Sequence, residues 1–200
     1  MNRASLKLIN YLSFNLQDIK QVHVVSTKLL RDQIRDIYTS IVERSGASCV
    51  VFSSSGLKEA TRALLESTTA ERCLVNIQPV FPETTFFEPA GSLSVDIMNG
   101  DLSALPIRES SLKLILYAFI IESIPEVKSV LAEARRVLRE GGYIIVVEWT
   151  SSSRLRPEPG LSLEGHIDEF KKEFSQLYKV VDLRIFKDYF IVAGRKELSD

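Results

Sequence analysis

The sequence predicts an α/β fold: a mostly parallel, seven-stranded sheet with a C-terminal antiparallel hairpin and helices on both faces. Three observations predict it. Short apolar runs at Cys49–Phe52, Cys73–Ile77, Leu93–Met98, Leu112–Phe119 and Tyr143–Val147 alternate with stretches of helical spacing or irregular chain, as strands buried on both faces require. The stretch Asn99–Trp149 reads as one complete parallel unit: a polar turn, a strand, an amphipathic helix, Gly141-Gly142, and a strand. Two last runs, Tyr178–Phe186 and Tyr189–Arg195, are separated only by Lys187-Asp188, so they must pair antiparallel.

Composition bounds the rest. A chain of 200 residues suits a single domain with one core. We divide it into an N-terminal helical or lid segment, 1–45, and an α/β core, 46–200. The net charge of -1 gives no global field for nucleic acid or an anionic membrane. Arg154 and Arg156 are a small local basic pair in a polar loop, which reads first as a solvated surface. Cys49 and Cys73 sit inside apolar runs and read as small buried hydrophobes. With His23 and His166 the only histidines and no metal-ligand spacing, no metal site is expected. No apolar run approaches membrane-spanning length, so a soluble, cytoplasmic protein is expected.

Along the chain, the apolar residues from Leu6 to Ile19 fit neither period cleanly, and a short helix followed by an extended Val22–Val25 segment is expected. Leu30, Ile34, Ile37 and Ile41 lay one apolar stripe on a helix from Thr27 to Arg44. After Cys49–Phe52, Ser53-Ser54-Ser55-Gly56 reads as a turn and Leu57–Glu66 as a helix. Pro79, Pro82 and Pro89 make the connection 78–91 irregular. The strongest helical pattern is Glu126–Arg139, with Val127, Val130, Leu131, Ala134 and Leu138 on one face, Pro125 at its start and Gly141-Gly142 at its end. Ser151–Gly160 is a polar loop, and a helix is expected from about Leu163 to Leu177.

Two wordings inside this frame resemble a known family. Gly100-Asp101-Leu102-Ser103-Ala104-Leu105-Pro106-Ile107 and Val137-Leu138-Arg139-Glu140-Gly141-Gly142-Tyr143-Ile144-Ile145 are similar to segments of the class I, S-adenosylmethionine-dependent methyltransferases, in particular the small type 11 domains. The resemblance implies a Rossmann-like methyltransferase fold with S-adenosylmethionine as cofactor. It also implies where that cofactor lies: beyond the carboxyl ends of the strands, at the switch point of strand order.

By resemblance, the turn after Phe52 takes the methionine end of the cofactor, with Ser54 and Gly56 at the glycine-rich positions. The family has more glycine there and an acid where Phe52 stands, so this first motif is degenerate; the serines read equally as a helix cap. Asn76 stands where an acid usually accepts from both ribose hydroxyls, and an amide loses the charge-assisted part of that bond. Asp101 would accept from the adenine amino group beside the Leu102 backbone; its plainer role is to order its own turn. Lys113 replaces a usual aspartate near a strand start, away from the cofactor. Tyr117 faces the same region by resemblance.

Methyl transfer from a sulfonium mainly needs donor and acceptor held in line, with a base only where the acceptor must lose a proton. Glu122, Tyr117 and Glu148 are the candidate catalytic residues, each also readable as an ordinary surface or strand-end side chain. The acceptor, small molecule or macromolecule, is not identified, and homo-oligomerisation or a protein partner is left open. The rival reading is a catalytically inactive, methyltransferase-like binding or scaffold module that has lost the cofactor through the changes at Ser53–Gly56 and Asn76. A nicotinamide dehydrogenase is the poorer reading, because the glycine fingerprint is missing.

Overall fold

The computed structural model describes residues 22–24, 36–37, 39–41, 43, 49–54, 72–76, 94–98, 101–121, 124–150, 153 and 163–198. Most of the N-terminal segment, the expected helix at 57–66, the proline-rich connection, Gly56, Glu122 and most of the loop after Thr150 lie outside them.

The strands are β1 (Val22–Val24), β2 (Cys49–Ser54), β3 (Arg72–Asn76), β4 (Ser94–Met98), β5 (Leu112–Ala118), β6 (Leu138–Trp149), β7 (Lys179–Ile185) and β8 (Tyr189–Arg195). They form one sheet in the order β1-β7-β8-β6-β5-β2-β3-β4. Only β8 runs against its neighbours, β6 and β7. The expected count of seven is therefore one short among the described residues. The extra strand is Val22–Val24, which pairs parallel with Leu183–Ile185 on the outer edge of β7. Three residues carry too little periodicity to mark a strand; pairing with a distant segment makes it one.

Two helices, α1 (Val127–Val137) and α2 (Leu163–Leu177), share one face of the sheet. The apolar stripe of α1 (Val127, Val130, Leu131, Ala134, Val137) is wholly buried over Ile115, Tyr117, Ile144 and Val146. Phe170 and Phe174 of α2 reach Phe190 and Tyr178, with ring centroids 5.1–6.0 Å apart. Gly194 makes that approach possible, since a Cβ there would lie 2.7 Å from Phe174 Cζ. On the opposite face Leu114, Leu116, Ala118, Ile145, Val147, Ile191 and Ala193 are just as buried. The described residues between 36 and 43 are helical, with Ile37 and Ile41 buried, and Asp36 Oδ2 lies 4.0 Å from Arg184 Nη1 of β7. Continuous apolar strands thus have cover on both sides, as a parallel sheet demands.

The helix expected to run to Arg139 stops two residues earlier. Leu138 is already extended (φ -70°, ψ 133°) and begins β6. Gly141-Gly142 does not end the helix; it forms a bulge in the strand. Pairing jumps from Leu112↔Leu138 to Leu114↔Tyr143, leaving four residues of β6 looped out against one of β5. Gly141 takes φ +71°, and a Cβ on Gly142 would sit 2.8 Å from Arg139 O. The last four carbonyls of α1 all find donors. Leu138 N–H donates to Ala134 O, and Ser110 and Ser111 N–H donate to Arg136 O and Val137 O at 2.9 Å each. Lys196 Nζ donates to Arg135 O at 2.8 Å.

Candidate functional site

Strand order reverses between β2 and β5. From β2 the chain moves outward through β3 and β4, then returns to β5 on the other side of β2 and moves outward through β6. In open parallel sheets such a reversal is where a ligand crevice is expected, beyond the carboxyl ends of β2 and β5. Register aligns the strand ends beneath it: Ser53 pairs with Asn76, Asn76 with Met98, and Ser54 with Ala118. Ser54 and Asn76, expected near the cofactor, are thus the last residues of adjacent central strands. Ser53 and Ser54 were expected in a turn, but they belong to β2. Flanking strands on both sides extend its hydrogen bonding past the point where its apolar run stops.

Beyond β4 comes the Asp101 turn. Ser103 donates twice to Asp101 Oδ1, from N–H at 2.8 Å and from Oγ at 2.7 Å, and Ala104 N–H donates to Asp101 O at 3.1 Å. These two Ser103 bonds, the backbone one first, hold the Asp101 carboxyl below its ordinary value. Asp101 therefore does order its own turn, through one oxygen, while the residue stays exposed and ionised at neutral pH. Leu102 is fully buried and anchors the turn in the core.

Tyr117 is placed differently from expectation. Its side chain is wholly buried on the α1 side of β5, and its hydroxyl has no hydrogen-bond partner among the described residues. Burial first, then the charge of Glu133, pushes its proton loss far above the ordinary range. It is a core residue, and a poor proton acceptor. Glu148 is also wholly buried. Its Oε2 accepts from Ile121 N–H and its Oε1 from Trp149 N–H, both at 2.8 Å, so it braces the turn that leaves β5. That turn is strained: Phe119 has φ +55°, and its ring lies 4.2 Å from that of Trp149. Lys113 is the second residue of β5, at the end of the sheet away from the crevice.

One pair of side chains that holds the Asp101–Ile107 segment escaped sequence reasoning. Glu133 and Arg136 lie on α1 off its buried stripe, and both reach the Asp101–Ile107 segment. Leu105 N–H donates to Glu133 Oε1 at 2.7 Å, while Arg136 Nη2 donates to Leu105 O and Ile107 O at 3.1 and 2.9 Å. An acid and a base three residues apart were the available signal, but such a pair usually means a solvated helix face. Among the described residues no group of three or more His, Cys, Asp or Glu could hold a metal ion, and no helix is long and apolar enough to cross a membrane.

Comparison with known proteins agrees with this layout. The methyltransferase-domain family model matches residues 54–146, from the end of β2 into β6. A stretch of 62 residues, 31% of the chain, is 39% identical to the ubiquinone/menaquinone biosynthesis C-methyltransferase UbiE of Dinoroseobacter shibae, and spans only 23% of that relative's length. A methyltransferase dependent on S-adenosylmethionine from Aquifex aeolicus superposes with a TM-score of 0.55 at 16% identity, over 84% of this chain and 100% of that one. Another from Methanosarcina mazei gives 0.54 at 13% identity, over 80% and 98%. The structural likeness establishes the shared fold, and the family match lays the motifs of a methyltransferase domain on just under half of the chain, which over those residues is similar to the class I, S-adenosylmethionine-dependent methyltransferases.

Proposed function

We propose that the protein is a methyltransferase that binds S-adenosylmethionine in the crevice between the loops leaving β2 and β5 and transfers its methyl group to an acceptor not yet identified. The observation that carries this reading is the Asp101 turn. It presents an exposed, ionised carboxylate beside the aligned ends of β2, β3 and β4. In this reading Asp101 accepts from the adenine amino group and the Leu102 backbone flanks the ring. Asn76 accepts from a ribose hydroxyl, and the chain around Ser54 and Gly56 meets the methionine end. The cofactor supplies an activated methyl group on a sulfonium, and the protein supplies alignment. Glu148 serves by fixing the β5 turn, and it does not act as a base in this scheme. A base is needed only for an acceptor that must lose a proton, and Glu122 stays a candidate for it.

Calorimetry with S-adenosylhomocysteine on the wild-type chain and on Asp101→Ala tests the proposal. Wild type should bind, and loss of a hydrogen bond to a charged group should weaken affinity by about 1.5–3 kcal/mol. If wild type shows neither heat nor a thermal shift at millimolar ligand, the proposal is wrong and the chain is a binding module on a methyltransferase fold.

A further inference from the structure

We infer that Glu133 and Arg136 are positioning residues for the adenine side of the cofactor site, clamping the Asp101–Ile107 segment to helix α1. The inference rests on the function proposed above and assigns that site two residues of a distant helix. Asp101–Ile107 is neither helix nor strand, and Pro106 offers no N–H, so the segment cannot hold itself through a backbone ladder. Two apolar anchors, Leu102 and Leu105, fix its side chains in the core. Between Leu105 and Ile107 one backbone bond stays inside the segment, Ile107 N–H to Leu105 O at 2.7 Å, and α1 takes the rest: Leu105 N–H donates to Glu133, and the Leu105 and Ile107 carbonyls accept from Arg136.

The clamp is rigid because its two members lock each other. Arg136 Nε donates to Glu133 Oε2 and Nη2 to Oε1, both at 2.7 Å, the paired geometry a planar guanidinium favours. Glu133 is 11% exposed and Arg136 38%, so the pair lies at the margin of the core. Apart from each other, the hydrogen-bond partners of both side chains among the described residues are in the 101–107 segment, with the Glu109 charge also acting on Arg136. Removing the pair should therefore loosen that segment and leave the packing of α1 on the sheet intact. Asp101 stands four residues before Leu105, tied to Ser103, so movement at Leu105 passes directly to the carboxylate.

The test combines three measurements on wild type, Arg136→Met, Arg136→Lys and Glu133→Gln. They are the Kd for S-adenosylhomocysteine and for 5'-methylthioadenosine, which lacks the amino-acid end, hydrogen exchange of the Leu105 and Ser103 amides, and thermal melting. Arg136→Met should weaken both ligands by roughly tenfold to a hundredfold, as expected when a contact group drifts by about an ångström. Its Leu105 amide should exchange faster, and Arg136→Lys should recover part of the affinity. If Arg136→Met does not fold, Arg136→Lys and Glu133→Gln carry the test, each with a smaller loss in the same order. Wild-type binding with affinities unchanged within about twofold in every folded variant would overturn the inference. Failure of wild type to bind either ligand overturns the functional reading itself, and the inference falls with it.

Discussion

Glu148 and Tyr117 show how differently two buried polar groups can stand in one core. Glu148 has no contact with solvent, yet both its oxygens accept main-chain N–H groups, one in β6 and one in the turn after β5. Glu148→Gln keeps the shape but turns an NH2 group toward one of those donors. It should cost about 1–3 kcal/mol, read as a lower urea midpoint with unchanged slope. Tyr117 is the converse case, a buried hydroxyl that satisfies nothing. Tyr117→Phe removes an unpaired dipole and no packing atom of the ring. It should leave stability unchanged or raise it by up to about 1 kcal/mol, and leave S-adenosylhomocysteine affinity as it was. A marked loss of binding in Tyr117→Phe would return this residue to the site.

The join between α1 and β6 is where sequence and structure part most sharply. The apolar runs that became β2 to β6 were legible, because strands buried on both faces need nothing but apolar residues in sequence. Gly141-Gly142 after an amphipathic helix reads as a helix stop. Only the position of Leu112 O and Arg139 O shows that the glycines serve a bulge. Lys196 was equally unreadable: it closes the end of α1 from 58 residues beyond Leu138, donating to Arg135 O at 2.8 Å and Leu138 O at 2.7 Å. Lys196→Met should cost about 1 kcal/mol, the worth of a cation at a helix C-terminus, and calorimetric melting would show it. The candidate site was legible where a residue type carried the chemistry, as at Asp101. It was not legible at Glu133 and Arg136, whose role depends on which loop α1 happens to lie beside.

For the molecule as a whole, one contribution to the acid limb of stability can be traced to Glu133. The Glu133 carboxyl is held below its ordinary 4.5, chiefly by the Arg136 hydrogen bond and against the cost of burial. A depressed carboxyl contributes stability that is fully present above its unfolded value and is lost as pH falls through the folded one. Urea midpoints measured from about pH 7 to pH 3 should therefore fall less steeply at the acid end for Glu133→Gln than for wild type. The edge strand β1 has a consequence of another kind. Val22–Val24 pairs with Leu183–Ile185, about 160 residues later, so this contact carries one of the largest loop-closure entropies in the fold. During synthesis β1 leaves the ribosome before the other described strands, and the strand it pairs with in the sheet, β7, follows only much later. At the usual elongation rate of about 5–20 residues per second, that is a wait on the order of ten seconds, in which its backbone groups can be met only by water or a chaperone. The β1 edge of the sheet is thus set only after β7 is made, and β1, made before the other described strands, is among the last of them to dock.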